Sequence, residues 1–485
     1  MRIVQFYAII VLRNVRYEGY EVVADVQREE FIMLRRKVYN RLLRWKSERQ
    51  GKTAVLLKGA RRVGKSTLVE AFGKNEYASC LIIDFFQAPA EVKAYFEDYR
   101  TDFDTLFLYL QAFYGVDLVK RKSLVVFDEV QMFPQARGLI KYLVADGRYD
   151  YIETGSLLSI RQNVEGIIIP SEEEAVSLGP LDFEEFLWAM GEEKLATLIR
   201  RQFEALQPLP DGLHRRAAGL LREYLLVGGM PRPAATYVEQ RKFAPVDEEK
   251  RRILELYRNG VARFAKGCEY KVVSVLDNVA GQLSKHEKKF TLASMGKNAR
   301  MRGYEEAFFW LSDARIANVC YASNDPGVGL SLNMERSSLK CYMADTGLLV
   351  TLAFADGDVT DEGVYRSILR GNIGINEGML VENVVAQMLV AAGHRLFFYS
   401  QSGKAKKEKR MEIDFLVTRP YANAAGKPRV SPIEVKSPRQ YGTTSLDRFK
   451  EKFGRRVGTQ YVLHPKQMQV EGDRVRLPLY MGWCL

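Results

Sequence analysis

The chain has no stretch approaching the roughly 20 consecutive apolar residues that a membrane-spanning helix needs, so a membrane partner is not expected. Its five cysteines, Cys80, Cys268, Cys320, Cys341 and Cys484, are scattered over 485 residues without metal-type spacing. That scatter argues against a cysteine metal site or a disulfide framework and points to a reducing, cytoplasmic setting. The N-terminus opens with an Arg and a modest apolar run, but Arg13 and Arg16 close it and no small-residue cleavage site follows. A secretory signal is therefore not expected. Internal repeats and low-complexity tracts are also missing, which argues against a solenoid.

The composition, 47% hydrophobic and 27% charged, is that of a soluble globular protein. At 485 residues the chain is long enough for three or four domains. Its 72 Lys+Arg against 60 Asp+Glu leave a net charge of +12, which favours an anionic partner. Nucleic acid, DNA first, ranks ahead of anionic membrane, and a merely solvated basic surface is the alternative.

The run Gly59-Ala60-Arg61-Arg62-Val63-Gly64-Lys65-Ser66-Thr67 fits the pattern G-x-x-x-x-G-K-[ST] between an apolar stretch, Thr53 to Leu57, and a helix-like one ending at Phe72. Such a loop curls its backbone N–H groups around phosphate oxygens at a helix N-terminus. In that role Lys65 reaches the β- and γ-phosphates of ATP, and the Ser66 hydroxyl ligates Mg²⁺. Arg61 and Arg62 either contact phosphates or only pack and pair at the surface.

The apolar run Ser123 to Phe127 ends in Asp128-Glu129, as a buried parallel strand with carboxylates at its carboxyl end would. Asp128 is the expected Mg²⁺-holding residue, and Glu129 the base that polarises the attacking water. A further strand ends in Glu153-Thr154-Gly155-Ser156, where Thr154 or Ser156 is either a γ-phosphate sensor or a helix N-cap.

Periodicity divides the rest of the chain. Residues 1–32 carry no motif and read as a leader, disordered or artefactual, with Met33 as a candidate start of an amphipathic helix to Trp45. Residues 33–178 alternate strand-like and helical runs, as a parallel sheet covered by helices does. Residues 179–268 read as a helical lid broken at Gly228-Gly229-Met230-Pro231. Residues 269–364 combine helices with a hairpin, Ile316 to Ala322 and Leu339 to Met343. That is a winged-helix module, which serves equally as a DNA reader or as a packing unit. Tyr365 to Asn376 reads as a linker that opens a last α/β unit, residues 365–485.

That last unit holds a second set of charged residues. Glu382 lies on the predicted helix Glu377 to Leu389, Asp414 on the strand Met411 to Val417, and Glu434 and Lys436 on the strand Ser431 to Lys436. Residues two apart on a strand share a face, so Glu434 and Lys436 point the same way. With Asp414 beside them, Asp414 and Glu434 could ligate Mg²⁺ while Lys436 stabilises charge on a scissile phosphate. The bland alternative is a surface hairpin with solvated charges. The basic run Lys404-Ala405-Lys406-Lys407-Glu408-Lys409-Arg410 is a candidate phosphate grip or a solvated turn.

These segments resemble P-loop ATPases of the AAA/STAND type, archaeal and bacterial, that carry a C-terminal DUF4143 region. The resemblance runs from about Met33 onward and rests on five segments. They are the Gly59 to Ser66 loop, Val125 to Gln131, the Gly155-Ser156 pair, Leu178 to Phe186, and Tyr224 to Pro231. It implies an ATPase core, a helical lid, a winged helix and a domain similar to PD-(D/E)xK restriction-like nucleases. Glu382, Asp414, Glu434 and Lys436 fall on the nuclease pattern as catalytic residues. Members of the family often carry an Asp-Ile pair where this chain reads Tyr257-Arg258-Asn259-Gly260-Val261. The expected function is an ATPase acting on nucleic acid with metal-dependent cleavage; a homo-oligomer is a candidate assembly, and an arginine finger could come from this chain or from a neighbour. The alternative is a nucleotide-dependent switch or scaffold that binds without cutting.

Overall fold

The computed structural model describes residues 34–156, 170–285, 288–295, 300–327, 329–354, 360–369, 377–401, 411–419, 429–437 and 441–485. The leader 1–32 and the basic run 404–410 lie outside the described residues.

Five short runs form one parallel sheet: β1 (Ala54–Lys58), β2 (Ser79–Asp84), β3 (Ser123–Asp128), β4 (Asp150–Gly155) and β5 (Glu173–Ser177). Their order is β2-β3-β4-β1-β5. β3 and β4 are buried along their whole length, so they read as continuous apolar runs with polar residues at their carboxyl ends. β5, Glu-Glu-Ala-Val-Ser, has no such signature, and it is an edge strand that buries only Val176. The helix Lys37–Arg49 covers one face through Leu42 and Trp45, which pack with Val55, Leu57 and Phe72. The other face carries the aromatic cluster of Phe85, Phe96, Phe127 and Phe133.

Helices fill residues 183–264, the last being the long Phe243–Phe264. The segment Asp182 to Glu185 closes a reciprocal capping box: Asp182 accepts from the Glu185 N–H, and Glu185 from the Asp182 N–H.

The hairpin strands are β6 (Ala317–Ser323) and β7 (Met334–Met343), and they pair antiparallel. They do not stand alone as a winged-helix module ending at residue 364. β6 also pairs in parallel with β8 (Phe397–Gln401), which pairs with β9 (Met411–Ile413), giving the sheet order β7-β6-β8-β9. A third, mixed sheet runs β10-β11-β12-β14-β13, from β10 (Phe415–Arg419), β11 (Arg429–Val435), β12 (Gln460–His464), β13 (Gln469–Glu471) and β14 (Arg474–Pro478). The expected single strand Met411 to Val417 is thus split at Asp414, which lies where the chain passes from one sheet to the next.

The linker expected from Tyr365 is also corrected in its first part. Tyr365 belongs to the helix Glu362–Leu369, is fully buried, and stacks on Phe243 at 5.2 Å. Its hydroxyl donates to Asp247 at 2.6 Å and accepts from Lys250 at 3.0 Å. One continuous core accordingly unites the lid, the hairpin and the C-terminal sheet, from Leu181 to Leu485.

Candidate functional site

The Gly59 to Ser66 loop leaves β1 and enters the helix Lys65–Glu76. Gly64 sits at the helix N-cap with φ 89°, a left-handed conformation that costs a side-chain-bearing residue strain. A Cβ there would meet the Pro231 ring only at ordinary contact distance, 3.6 Å, so the backbone angle and not crowding calls for glycine. No side chain caps this helix, and Ser66 and Thr67 are exposed, so the orphan N–H groups of its first turn face outward.

Lys65 is buried, and its Nζ donates to the carbonyls of Gly59 at 3.1 Å and Ala60 at 3.0 Å. Burial lowers its pKa, against the opposing pull of Glu129 and Asp128. An ammonium group held this way, with two carbonyl partners and two carboxylates near, lies ready for an added anion.

Parallel register brings the carboxyl ends of β1, β3 and β4 side by side. There Thr154 donates to Asp128 Oδ1, and the Glu129 N–H lies 3.3 Å from Thr154 Oγ1 and 3.1 Å from Asp128 Oδ1. Glu129 adopts φ 52°, and its carboxylate accepts from the Gln131 amide. Of the two candidate sensors, Thr154 is the one that meets Asp128. Ser156 is buried and lines a small cavity with Arg61, Tyr257 and Gly260. Arg61 faces the same helix, 5.4 Å over the Phe264 ring, and its carbonyl accepts from the Tyr257 hydroxyl at 3.3 Å. Tyr257 thus ties the helix Phe243–Phe264 to the loop. Arg62 is exposed with φ 65°.

Sequence reasoning missed the clamp beneath the loop. Arg36 is 7% exposed; its guanidinium donates to the Val63 carbonyl at 3.1 Å, to the Gly179 carbonyl at 2.6 Å and to Glu185 at 3.2 Å. The only available signal was its place beside Arg35 and Lys37 at the head of an amphipathic helix. On the lid side Gly229 approaches Leu181 so closely that a Cβ would lie 2.0 Å from its carbonyl oxygen. The Gly229 N–H donates to buried Asp345 at 2.5 Å.

The loop, Asp128 and Glu129 fit Mg²⁺-ATP: a free helix N-terminus, a buried ammonium group and a hydroxyl lie near two carboxylates at the carboxyl edge of the sheet.

The second cluster is assembled differently from expectation. Glu434 and Lys436 do share a face, with Lys436 Nζ 2.9 Å from Glu434 Oε2. Burial pushes Glu434 up to about 7, against the pull of Lys436. Asp414 is turned to the backbone, its Oδ2 accepting from the Val435 N–H at 2.9 Å. Its Oδ1 is 3.6 Å from Lys340 Nζ, a residue of β7 that is 0% exposed. Lys340 also meets Glu412 at 2.7 Å and Glu382 at 3.2 Å. Glu382 is further bound by the Tyr342 hydroxyl and by Lys288. Burial opposes the charge on Glu382, but Lys340 and Lys288 outweigh it and hold the carboxyl down at about 2. Burial also opposes the charge on Lys340, and Glu382, Glu412 and Asp414 hold its pKa well above the ordinary value. Among the described residues no group of three His, Cys, Asp or Glu side chains stands in metal-holding geometry. With Asp414 turned to the Val435 N–H and to Lys340, and Glu434 paired with Lys436, the residues present do not fit the Mg²⁺ expected at Asp414 and Glu434.

Lys340 carried a readable signal. In Leu339-Lys340-Cys341-Tyr342-Met343 it interrupts a run that is otherwise apolar or aromatic, as Glu434 does in its own strand.

Comparison with known proteins supports the first site. Residues 51–187 match the family profile described as an AAA domain. Residues 218–358 and 377–481 match two domains of unknown function, DUF8612 and DUF4143. No curated protein matches. Among solved structures, the DNA-bound ORC1 protein of Aeropyrum pernix is 13% identical, with 67% of this chain and 93% of that chain covered and a TM-score of 0.24. A STAND ATPase with a tetratricopeptide-repeat sensor from Pyrococcus horikoshii is 12% identical over 74% of this chain and 66% of that one, at a TM-score of 0.20. PCH-2 of C. elegans is 13% identical over 33% of this chain, which spans 44% of PCH-2, at a TM-score of 0.18. Likeness this low carries no argument about function. No described helix is long and apolar enough to cross a membrane. The chain therefore carries an AAA-type P-loop ATPase domain, followed by a DUF8612 and a DUF4143 domain.

Proposed function

We propose that the chain binds and hydrolyses ATP with Mg²⁺ and uses the cycle as a switch on a nucleic-acid partner. The observation that carries this reading is the meeting of Lys65, Asp128, Glu129 and Thr154 at adjacent strand ends. In it the loop N–H groups and Lys65 hold the phosphates, while Ser66 and Asp128 hold the metal ion. Glu129 orients a water molecule and takes its proton at the carboxylate. Bound Mg²⁺-ATP supplies the phosphoryl group and offsets its charge.

The switch is favoured over a free-standing ATPase by a buried polar chain that leads away from the loop. From the C-terminal helix Glu377–Ala391, Gln387 donates to the Tyr224 hydroxyl at 2.8 Å, and Tyr224 donates to the Leu181 carbonyl at 2.6 Å. The adjoining capping box is bound to Arg36, which holds Val63. This contiguous path supports coupling, and the test of coupling is functional.

Lys65→Ala should abolish ATP binding, and Glu129→Gln should keep Mg²⁺-ATP bound while turnover falls by about 10²-fold or more. Retained affinity in the first, or parent turnover in the second, removes those roles. The net charge of +12 favours the nucleic-acid partner. Affinity for DNA measured by anisotropy should fall steeply between low and physiological salt as counterions return, and a flat response argues for a protein partner. Metal-dependent cleavage by the C-terminal domain is not proposed, because the residues present do not fit the metal ion it needs; plasmid and single-stranded DNA should stay intact with Mg²⁺ or Mn²⁺.

A further inference from the structure

We infer that the carboxylate cluster of the C-terminal domain is occupied by a resident side-chain cation, the Lys340 ammonium group, in place of a divalent metal ion. Lys340 reaches the cluster from β7, outside residues 377–481 that match DUF4143, and inside the segment that matches DUF8612.

Oxygen bookkeeping carries the inference. Glu382 Oε1 meets Lys340 and the Tyr342 hydroxyl, and its Oε2 meets Lys288. Asp414 Oδ1 faces Lys340, and its Oδ2 holds the Val435 N–H. Glu412 is committed to Lys340 at 2.7 Å. Both oxygens of Glu382 are engaged, Asp414 Oδ1 meets Lys340 at ion-pair range, and the buried Glu434 Oε2 faces the Lys436 ammonium group at 2.9 Å. Mg²⁺ demands near-octahedral oxygens at about 2.0–2.1 Å, and a metal placed among these carboxylates would sit against a fully buried ammonium group. Like charges at such range in a low-dielectric interior repel strongly, and the Lys340 side chain is fully buried.

The charges also explain why the lysine stays. Three carboxylates converge where an uncompensated charge would be costly, and Lys340 from β7 together with Lys288 offsets two of the three. The cluster then joins two sheets that the chain connects through Asp414. Lys436, which the nuclease pattern assigns to a scissile phosphate, is paired with Glu434.

The experiment is a Mn²⁺ titration of the full chain without nucleotide, followed by electron paramagnetic resonance, in an Asp128→Asn background that removes the first metal ligand. The expected result is no Mn²⁺ site sensitive to Asp414→Asn at millimolar metal. One Mn²⁺ per chain that disappears with Asp414→Asn overturns the inference, and this measurement needs no lysine variant to fold. Lys340→Ala in the same background should lower Tm, and millimolar Mn²⁺ should restore at least half of the loss while KCl of equal ionic strength does not. Adding Asp414→Asn to Lys340→Ala should abolish that rescue. A Lys340→Ala protein that folds but is not restabilised by the metal overturns the idea that the ammonium group holds a cation's place.

Discussion

Glu153 makes folding of the ATPase sheet consume a proton, and replacing it with glutamine should remove that dependence. The residue lies on β4, between β1 and β3, is 0% exposed, and its carboxyl group meets the Glu173 carboxyl. Two groups face it. Glu173 on the edge strand is bound bidentately by Arg137 at 2.8 and 2.9 Å, so that pair is satisfied without Glu153. Burial first, then the Glu173 charge, push the Glu153 pKa well above the ordinary 4.5, and Arg137 only partly offsets them.

The sign follows from linkage. A group whose folded pKa is raised leaves stability intact below its unfolded pKa, and costs stability as pH climbs from there toward the folded pKa. One proton taken up on folding corresponds to at most about 1.4 kcal/mol per pH unit, so between pH 5.5 and 7.5 the ceiling is roughly 2.7 kcal/mol. At about 2–4 °C per kcal/mol for a domain of this size, the loss of Tm through Glu153 over that range has a ceiling of roughly 5–10 °C. Glu153→Gln keeps the shape and can donate an amide hydrogen to Glu173, so its Tm should exceed the parent's at pH 7.5 and converge with it near pH 5. Scanning calorimetry of both proteins across pH reads the difference directly. Parallel Tm curves, or a glutamine variant less stable at every pH, would refute the protonated-carboxyl reasoning.

Two further outcomes follow from side chains with defined partners. Thr154→Val keeps the volume of β4 but removes the donor to Asp128, and should lower ATP turnover about 10-fold or more with little change in nucleotide affinity. Equal turnover would leave Thr154 a packing residue. Tyr365→Ala removes the stack on Phe243 and two hydrogen bonds and leaves Lys250 and Asp247 buried with fewer partners. It should destabilise the lid and C-terminal unit by roughly 3–5 kcal/mol. Urea denaturation checks this, and a loss below about 1 kcal/mol would mean that the helix Glu362–Leu369 is not an integral part of the core.

The phosphate-loop pattern and the strands that end in carboxylates were legible because their information is local. A glycine that must be left-handed, a lysine and hydroxyl at a helix start, and apolar strands ending in carboxylates occupy short runs, and parallel register brings their ends together. The strand order was not legible, because it is set by pairing between distant segments. β5 shows the limit: Glu173 and Glu174 gave it no strand signature, yet Val176 and register with β1 suffice at a sheet edge. Arg36 was invisible for a similar reason, since a buried arginine and a solvated one look alike until Glu185, Gly179 and Val63 are brought to it.

The C-terminal cluster was read one residue short. Alternation correctly set Glu434 and Lys436 on one face, and the same rule applied to Leu339 to Met343 places Lys340 and Tyr342 together, which is how both reach Glu382. The obstacle was the supposed boundary at residue 364, which put Lys340 in a different module from the carboxylates it serves. Parallel pairing of β6 with β8 needs a long crossover, and here three helices, Thr346–Ala353, Glu362–Leu369 and Glu377–Ala391, lie between the hairpin and β8. A crossover of that length looks in sequence like a domain linker. What distinguishes it physically is the fully buried Tyr365 in its middle, since a solvated linker has no reason to bury an aromatic ring against two charged partners.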